Sequence, residues 1–166
     1  MIPTETWVLP RPRKNKYRGG FPLHFEKKLI RGLGFDEMLD REKILHPFGG
    51  EAEFGLRNDL NPDVGAELSF NAHELKILDD QFELVIVDPP YDDEQNQQLY
   101  GGVGGKLSYK KYISEAVRVC KPGGLIAMYH WVMTPRPEGT KYFKRIVILT
   151  RVWHRPRVCC IFQKED

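Results

Sequence analysis

Asp88, two prolines and a tyrosine follow a strongly apolar run, in the order FELVIVDPPY. Proline has no N–H group and fixes its own φ angle, and it pushes the preceding residue toward extended geometry. The sequence Asp88-Pro89-Pro90 therefore predicts a stiff, extended segment that presents carbonyl acceptors and one carboxylate at a fixed angle. A planar amine donates two hydrogen bonds, and the Asp88 carboxylate and the Pro89 carbonyl can accept one each.

Tyr91 adds a flat face on which an aromatic ring could stack. Together the four residues indicate a site for an exocyclic amino group that acts as a nucleophile, with catalysis by positioning and electrostatics. Asp88 need not be a strong base, because the amine proton becomes acidic only after the nitrogen has attacked. The alternative is a rigid turn between a strand and a helix, with an exposed tyrosine.

Strands and helices alternate along the chain, which is typical of an open, mostly parallel α/β sheet. Helices are predicted over residues 21–34 and 107–120. Strands are predicted within the ranges 43–46, 55–62, 66–72, 82–88, 125–131, 144–153 and 155–164, with the last two antiparallel. Ligands of such sheets bind beyond the carboxyl ends of the strands. The segments HPFGG and DPPY both follow strand ends, which places them on one rim.

The chain has 166 residues, of which 41% are hydrophobic, and this fits a single domain with a real core. We expect residues 1–20 to form an irregular basic arm and residues 21–166 to form a single domain. No apolar run is long enough to span a bilayer, and the first residues do not resemble a secretory signal. The three cysteines form no disulfide framework, and no metal-site spacing occurs, so a reducing cytoplasm is expected.

Charge is spread unevenly, with net values of +6 over residues 1–34, −13 over 35–104 and +9 over 105–166. If the two basic ends meet in space, they form a basic face for which a polyanion is a natural partner. The alternative is that these charges only solvate the surface. Phosphate contacts are predicted from the arm and from the last hairpin, at Arg11, Arg13, Lys14, Lys16, Arg18, Arg155 and Arg157.

Five segments in this order resemble the S-adenosylmethionine-dependent amino-methyltransferases, most of all the DNA adenine N6 branch. They are HPFGGEAEFG, RNDLNP, FNAHELKIL, VIVDPPY and CKPGGLIAMYHW, and the resemblance covers roughly residues 21–131. The segment GGFPLHFEKKLIR also resembles the family's helix that closes over the cofactor. The resemblance implies a Rossmann-like class I methyltransferase fold, with a mostly parallel seven-stranded sheet and an antiparallel C-terminal hairpin.

The resemblance also implies roles for individual residues. Asp88, Pro89, Pro90 and Tyr91 would hold the target amine, and Asp59 would accept hydrogen bonds from the ribose hydroxyls of S-adenosyl-L-methionine. The implied cofactor-binding residues are Phe21, Leu23, His46, Pro47, Phe48, Gly49, Gly50, Glu51, Glu53, Asp59, Asn71 and Ala72.

Three positions depart from the family pattern. His46 stands where the family often has Asp, Ala52 where it usually has Gly, and Asn71 where it usually has Asp. We therefore expect Glu51 or Glu53 to hold the methionine ammonium. His130 and Trp131 end a strand on the same rim as Asp88, and core packing is the expectation for both.

The sequence thus predicts an enzyme that methylates an exocyclic amino group of a nucleic acid base, with the base rotated out of its stack. Adenine N6 in DNA is the first choice, because the motif begins with Asp. The alternatives are RNA, cytosine N4 in DNA, a protein glutamine amide, and a non-catalytic subunit that binds nucleic acid. Since no target-recognition region is evident, sequence specificity is expected from the arm, from the loop over residues 92–106, or from a homodimer or separate partner.

Overall fold

The computed structural model describes residues 1–12, 20–91, 94, 96–97, 105–151 and 155–166. Within them the fold is α/β and Rossmann-like, with a mostly parallel seven-stranded sheet and an antiparallel hairpin, so the predicted fold class is confirmed. The strands are β1 Thr4–Val8, β2 Ile44–His46, β3 Leu56–Arg57, β4 Phe82–Val87, β5 Cys120–His130, β6 Thr140–Leu149 and β7 Arg157–Lys164. The helices are α1 Phe25–Gly32 and α2 Tyr109–Val119, with 3₁₀ turns at Arg41–Lys43 and Pro62–Val64.

The strand order across the sheet is β1-β6-β7-β5-β4-β2-β3. Neighbouring strands are parallel except for β7, which is antiparallel to both β5 and β6. The carboxyl ends of β2, β4 and β5 therefore lie on the same rim as the amino end of β7. Pairing of His130 with Val158 fixes that register and places Arg157 beside the end of β5.

The prediction of an irregular segment over residues 1–20 is wrong for Thr4–Val8. These residues pair in parallel with β6, from Thr4 opposite Arg145 to Val8 opposite Leu149. Only Trp7 of this strand is buried, and it packs against Phe25 with ring centroids 6.2 Å apart. The strand is held through its backbone at a sheet edge, so its side chains show no apolar alternation.

Two further elements differ from the predictions. The strand expected within residues 66–72 is reduced to a single bridge between Asn58 and Leu68. Helix α1 begins only at Phe25, because His24 takes a left-handed conformation with φ of 67°. Between β2 and β3 the chain forms turns.

The core has two layers, one on each face of the sheet. Leu84 and Ile86 of β4 face the helix α1 side, and Val85 and Val87 face the α2 side, as expected for a strand covered on both faces. Helix α2 contributes residues three or four apart, which form one apolar stripe: Tyr112, Ile113, Ala116 and Val119. Cys159 and Cys160 lie on opposite faces as predicted, and all three cysteines are buried.

In the described part of the chain, no helix is both long enough and apolar enough to cross a membrane.

Candidate active site

Asp88 leaves the carboxyl end of β4, and the two prolines that follow it are buried. Burial raises the pKa of the Asp88 carboxyl well above its usual value, and the positive charge of Arg157 acts in the opposite direction. An acid in this environment needs a partner that donates hydrogen bonds or carries positive charge. The site therefore suits a ligand that brings N–H donors to the Asp88 carboxyl.

The Tyr91 ring is held by three neighbours. It stacks on Trp131 with ring centroids 5.2 Å apart and an interplanar angle of 19°, and it meets His130 edge-on at 5.1 Å. The Arg157 Nε–H donates to the Tyr91 Oη at 3.2 Å, and the Arg157 Cζ lies 5.1 Å from the ring centroid. Tyr91 is thus a fixed part of an aromatic cluster, and His130 and Trp131 face the site, which corrects the expectation of core packing.

A groove runs beside Tyr91 and spans about 870 Å³, including space open to solvent. Its walls are mostly aromatic and apolar, and Val132 and Met133 on them are 53% and 61% exposed. Flat, apolar walls beside a carboxylate suit an aromatic ring that carries a polar group. The lining residues are Pro90, Tyr91, Leu107, Tyr109, Tyr112, His130, Val132, Met133, Thr134 and Pro135.

A second pocket lies on the other side of Leu107, and it spans about 350 Å³ including its open part. It brings together five of the residues predicted to bind the cofactor: Pro47, Phe48, Asp59, Asn71 and Ala72. Its walls are mainly apolar, with the Asp59 carboxylate as the charged group. Leu107 lines both spaces, so the pocket and the groove are neighbours, and Pro90 and Tyr91 of the motif line the groove.

The Asp59 carboxylate is oriented by two backbone donors. Its Oδ2 accepts from Gly50 N–H at 2.8 Å and its Oδ1 accepts from Asn61 N–H at 2.8 Å. Gly50 has a φ of +45°, and a Cβ there would meet no atom within 4 Å, so the loop leaves open space beside the carboxylate.

Asn58 organises this pocket, although the sequence analysis did not identify it. Its side-chain Nδ2 donates to the carbonyls of Pro47 and Phe70, both at 2.9 Å, and its Oδ1 accepts from Phe70 N–H at 2.7 Å. The fully buried amide thus ties together the loop after β2 and the segment that leads to Asn71. An asparagine beside an aspartate gives no local pattern from which these contacts could be predicted.

A third cavity, of about 1240 Å³ including open space, lies between α1 and the loop after β2. Phe21, Leu23, Gly49, Glu51 and Glu53 line it, so the predicted cofactor residues divide between this cavity and the pocket at Asp59. The cavity carries several carboxylates and is therefore suited to a cation such as an ammonium group.

Glu26 fixes one wall of this third cavity. Its carboxylate accepts from the backbone N–H groups of Glu53 at 3.0 Å and of Phe54 at 2.9 Å. His46 Nε2 lies 3.3 Å from Glu26 Oε1, and the His46 side chain is only 1% exposed. His46 lines neither cavity, so the structure places it beneath the cofactor loop and not at its surface.

Three of the seven residues predicted to contact nucleic acid lie in the described part of the chain. Arg11 is exposed after β1, and Arg155 is exposed with its Cζ 5.1 Å from the Trp131 ring centroid. Arg157 turns toward Tyr91. The other four, Arg13, Lys14, Lys16 and Arg18, lie outside the described residues, as does most of the loop over residues 92–106.

No protein-family model matches the sequence. A comparison with curated proteins likewise finds no match. Among solved structures, the chain is similar to TrmN from Thermus thermophilus, with a TM-score of 0.58, 15% identity, and coverage of 89% of this chain and 50% of TrmN. NodS, an N-methyltransferase from Bradyrhizobium japonicum, gives a TM-score of 0.48, 11% identity, and coverage of 74% and 85%.

The similarity to TrmN concerns the fold. The chain spans about half the length of the TrmN chain, so TrmN has a large region without a counterpart in the alignment.

Proposed function

We propose that this chain is an S-adenosylmethionine-dependent methyltransferase that modifies an exocyclic amino group of a nucleic acid base. One observation carries the proposal: Pro90 and Tyr91 of the motif line an aromatic groove that shares Leu107 with the pocket at Asp59. The pocket suits the adenosyl part of the cofactor, and the groove suits the base that receives the methyl group.

The residues present fit this cofactor. The oriented Asp59 carboxylate would accept from the ribose hydroxyls, and Phe48 and Ala72 would contact the adenine. Glu51 and Glu53 would lie near the methionine ammonium in the third cavity. When bound, the cofactor would supply a methyl group activated by a sulfonium centre.

The chain itself would orient the amine. The Asp88 carboxylate and the Pro89 carbonyl would accept the two amine hydrogens, which directs the nitrogen lone pair out of the plane of the base. The groove that Tyr91 lines would receive the base. The amine proton would be lost to solvent or to Asp88 after the nitrogen has attacked. Rate acceleration would come mainly from this positioning and from the electrostatics of a partly dry site.

Adenine N6 in DNA remains the first choice for the target, because the motif begins with Asp88. The basic residues predicted to contact phosphate support a polyanionic substrate, and Arg11 and Arg155 are both exposed. A flipped or unpaired base is required, since the groove accepts a ring and not a duplex.

Transfer of the labelled methyl group from S-adenosylmethionine tests the proposal. Duplex DNA, single-stranded DNA, total RNA and protein are offered separately, with Asp88→Asn as the matched variant. We expect N6-methyladenine in DNA, and a loss of at least about a hundredfold in the variant. Label in RNA or in protein would keep the chemistry and change the substrate. Absence of transfer to all four substrates, by a chain that binds the cofactor, would refute the proposed activity.

A further inference from the structure

Arg157 makes side-chain contacts within the protein that a surface residue would not need if it only bound phosphate. Its Nε donates to the Tyr91 Oη, its Nη1 donates to the Arg155 carbonyl at 3.0 Å, and the guanidinium lies against the Tyr91 ring. These contacts fix the guanidinium on the inner side of the rim, and the side chain is only partly exposed. A planar guanidinium with several donors is well suited to hold an aromatic ring and its hydroxyl together.

The charge of Arg157 is also directed at the site. Within the described residues, no carboxylate pairs with this guanidinium at salt-bridge distance, whereas its field acts on Asp88, on Tyr91 and on His130. A guanidinium that lies against the Tyr91 ring also acts electrostatically on the partly buried Asp88 carboxyl.

We infer that Arg157 is a positioning residue of the target-amine site, which fixes the Tyr91 ring and places a positive charge beside Asp88. The inference rests on the proposed function and assigns Arg157 a role other than phosphate contact. Arg157 does not touch the reacting atoms. It acts through Tyr91, which lines the groove for the base, and through Asp88, which accepts the amine hydrogens.

The groups around Asp88 allow the charge effect to be isolated. Tyr91 follows it in the same segment, Tyr129 faces it from β5, and Cys159 and Arg157 face it from β7. Burial raises the pKa of Tyr129 and Cys159 above their usual ranges, so both stay neutral where a carboxyl titrates. His130 borders Tyr91, and burial followed by the charge of Arg157 lowers the pKa of its imidazole.

The test compares Arg157→Gln, which removes the charge, with Arg157→Lys, which keeps the charge and loses the planar fork. Arg155→Gln is the matched control, because Arg155 is exposed and its guanidinium lies over the Trp131 ring. The kcat and KM for methyl transfer are measured from about pH 5 to about pH 9, and melting temperatures verify that each variant folds.

We expect Arg157→Gln to lower kcat/KM by about tenfold to a hundredfold, mainly through kcat, as for a lost charge-assisted hydrogen bond. Without the positive charge the Asp88 carboxyl holds its proton more tightly. The acidic limb of the plot of kcat/KM against pH, where activity rises as Asp88 ionises, should therefore move to higher pH. Arg157→Lys should keep the limb in place, and so should Arg155→Gln. A rise in KM alone, with kcat and the limb unchanged, would identify Arg157 as a phosphate ligand and overturn the inference.

A second measurement does not require activity. The Asp88 carboxyl is titrated by carbon-13 NMR in the chain without cofactor or nucleic acid, with Asp88→Asn to assign the signal. A higher midpoint in Arg157→Gln than in the wild type supports the inference, and an unchanged midpoint overturns it. If the wild type transfers no methyl group, the proposed function fails, and this titration still decides whether Arg157 controls Asp88.

Discussion

Replacement of Asn58 by aspartate changes one buried NH₂ group beside the pocket at Asp59 to an oxygen. The Asn58 Oδ1 can still accept from Phe70 N–H, but the carbonyls of Pro47 and Phe70 lose their shared donor and face a carboxylate instead. A buried acceptor left without its donor costs about 1 to 3 kcal/mol. A buried charge without a partner costs about 3 to 5 kcal/mol, so we expect the free energy of unfolding at neutral pH to fall by about 3 to 5 kcal/mol.

The loss should depend on pH in a defined direction. In the folded variant the carboxyl is buried among acceptors, so its pKa lies above the value of about 3.9 that it has in the unfolded chain. The unfolded state therefore releases the proton first as pH rises, and the stability deficit grows from about pH 4 upward. Toward acidic pH the protonated carboxyl can donate to one carbonyl, and the difference from the wild type should shrink.

Urea unfolding followed by circular dichroism measures this difference at several pH values. Asn61→Asp is the matched control, because the Asn61 side chain accepts from Asp63 N–H at 3.0 Å and aspartate can accept equally well there. We expect that control to lie within about 0.5 kcal/mol of the wild type. An Asn58→Asp variant that loses less than about 1 kcal/mol at neutral pH would refute the claim that this amide holds the pocket together.

Gly49→Ala should lower the melting temperature, because the added Cβ would lie 2.5 Å from the Cβ of Arg57 and 3.0 Å from the Arg57 Cα. Such overpacking should lower the free energy of unfolding by about 1 to 3 kcal/mol, and an unchanged melting temperature would contradict this. Asp59→Asn should weaken S-adenosylmethionine binding about tenfold or more in calorimetry, since an ionised acceptor for the ribose is lost, whereas equal affinity would show that Asp59 does not contact it. Burial raises the pKa of Tyr109 to about 12, above the ordinary tyrosine pKa of 10.0. As pH rises, this phenol therefore ionises first in the unfolded chain, which should lower the stability of the fold above about pH 10. Tyr109→Phe should therefore lose less stability than the wild type at alkaline pH, as measured by urea unfolding. An identical loss in both proteins would exclude this role of Tyr109.

The sequence predicted those parts of the fold and of the candidate site that depend on a local pattern of apolar residues, glycines and prolines. The nearly continuous apolar run before Asp88 predicted a strand, and in that strand Leu84 and Val85 lie in opposite layers of the core. Glycines and prolines after strand ends placed the DPPY segment and the cofactor loop on one rim. Five of the predicted cofactor residues then line one pocket.

The elements that the sequence did not reveal depend on contacts between distant positions. Strand β1 turns one side chain, Trp7, into the core, and its pairing with β6 uses backbone groups that all residues share. Arg157 reaches Tyr91 across a separation of 66 residues. The role of Glu26 likewise depends on backbone donors 27 and 28 positions further along the chain. Side-chain periodicity reports which face is buried, and it carries no information about such partners.

The burial of all three cysteines has a practical consequence for reagents that attack thiols. Cys120 and Cys159 are fully inaccessible and Cys160 is 1% exposed, and burial raises the pKa of Cys120 to about 12. Thiolate is the reactive form, so the native chain should be nearly inert to maleimides and should expose three thiols together when it opens. The rate of thiol labelling then measures how often the native chain opens. A single cysteine introduced on the surface can also carry a fluorophore without prior removal of the three natural cysteines.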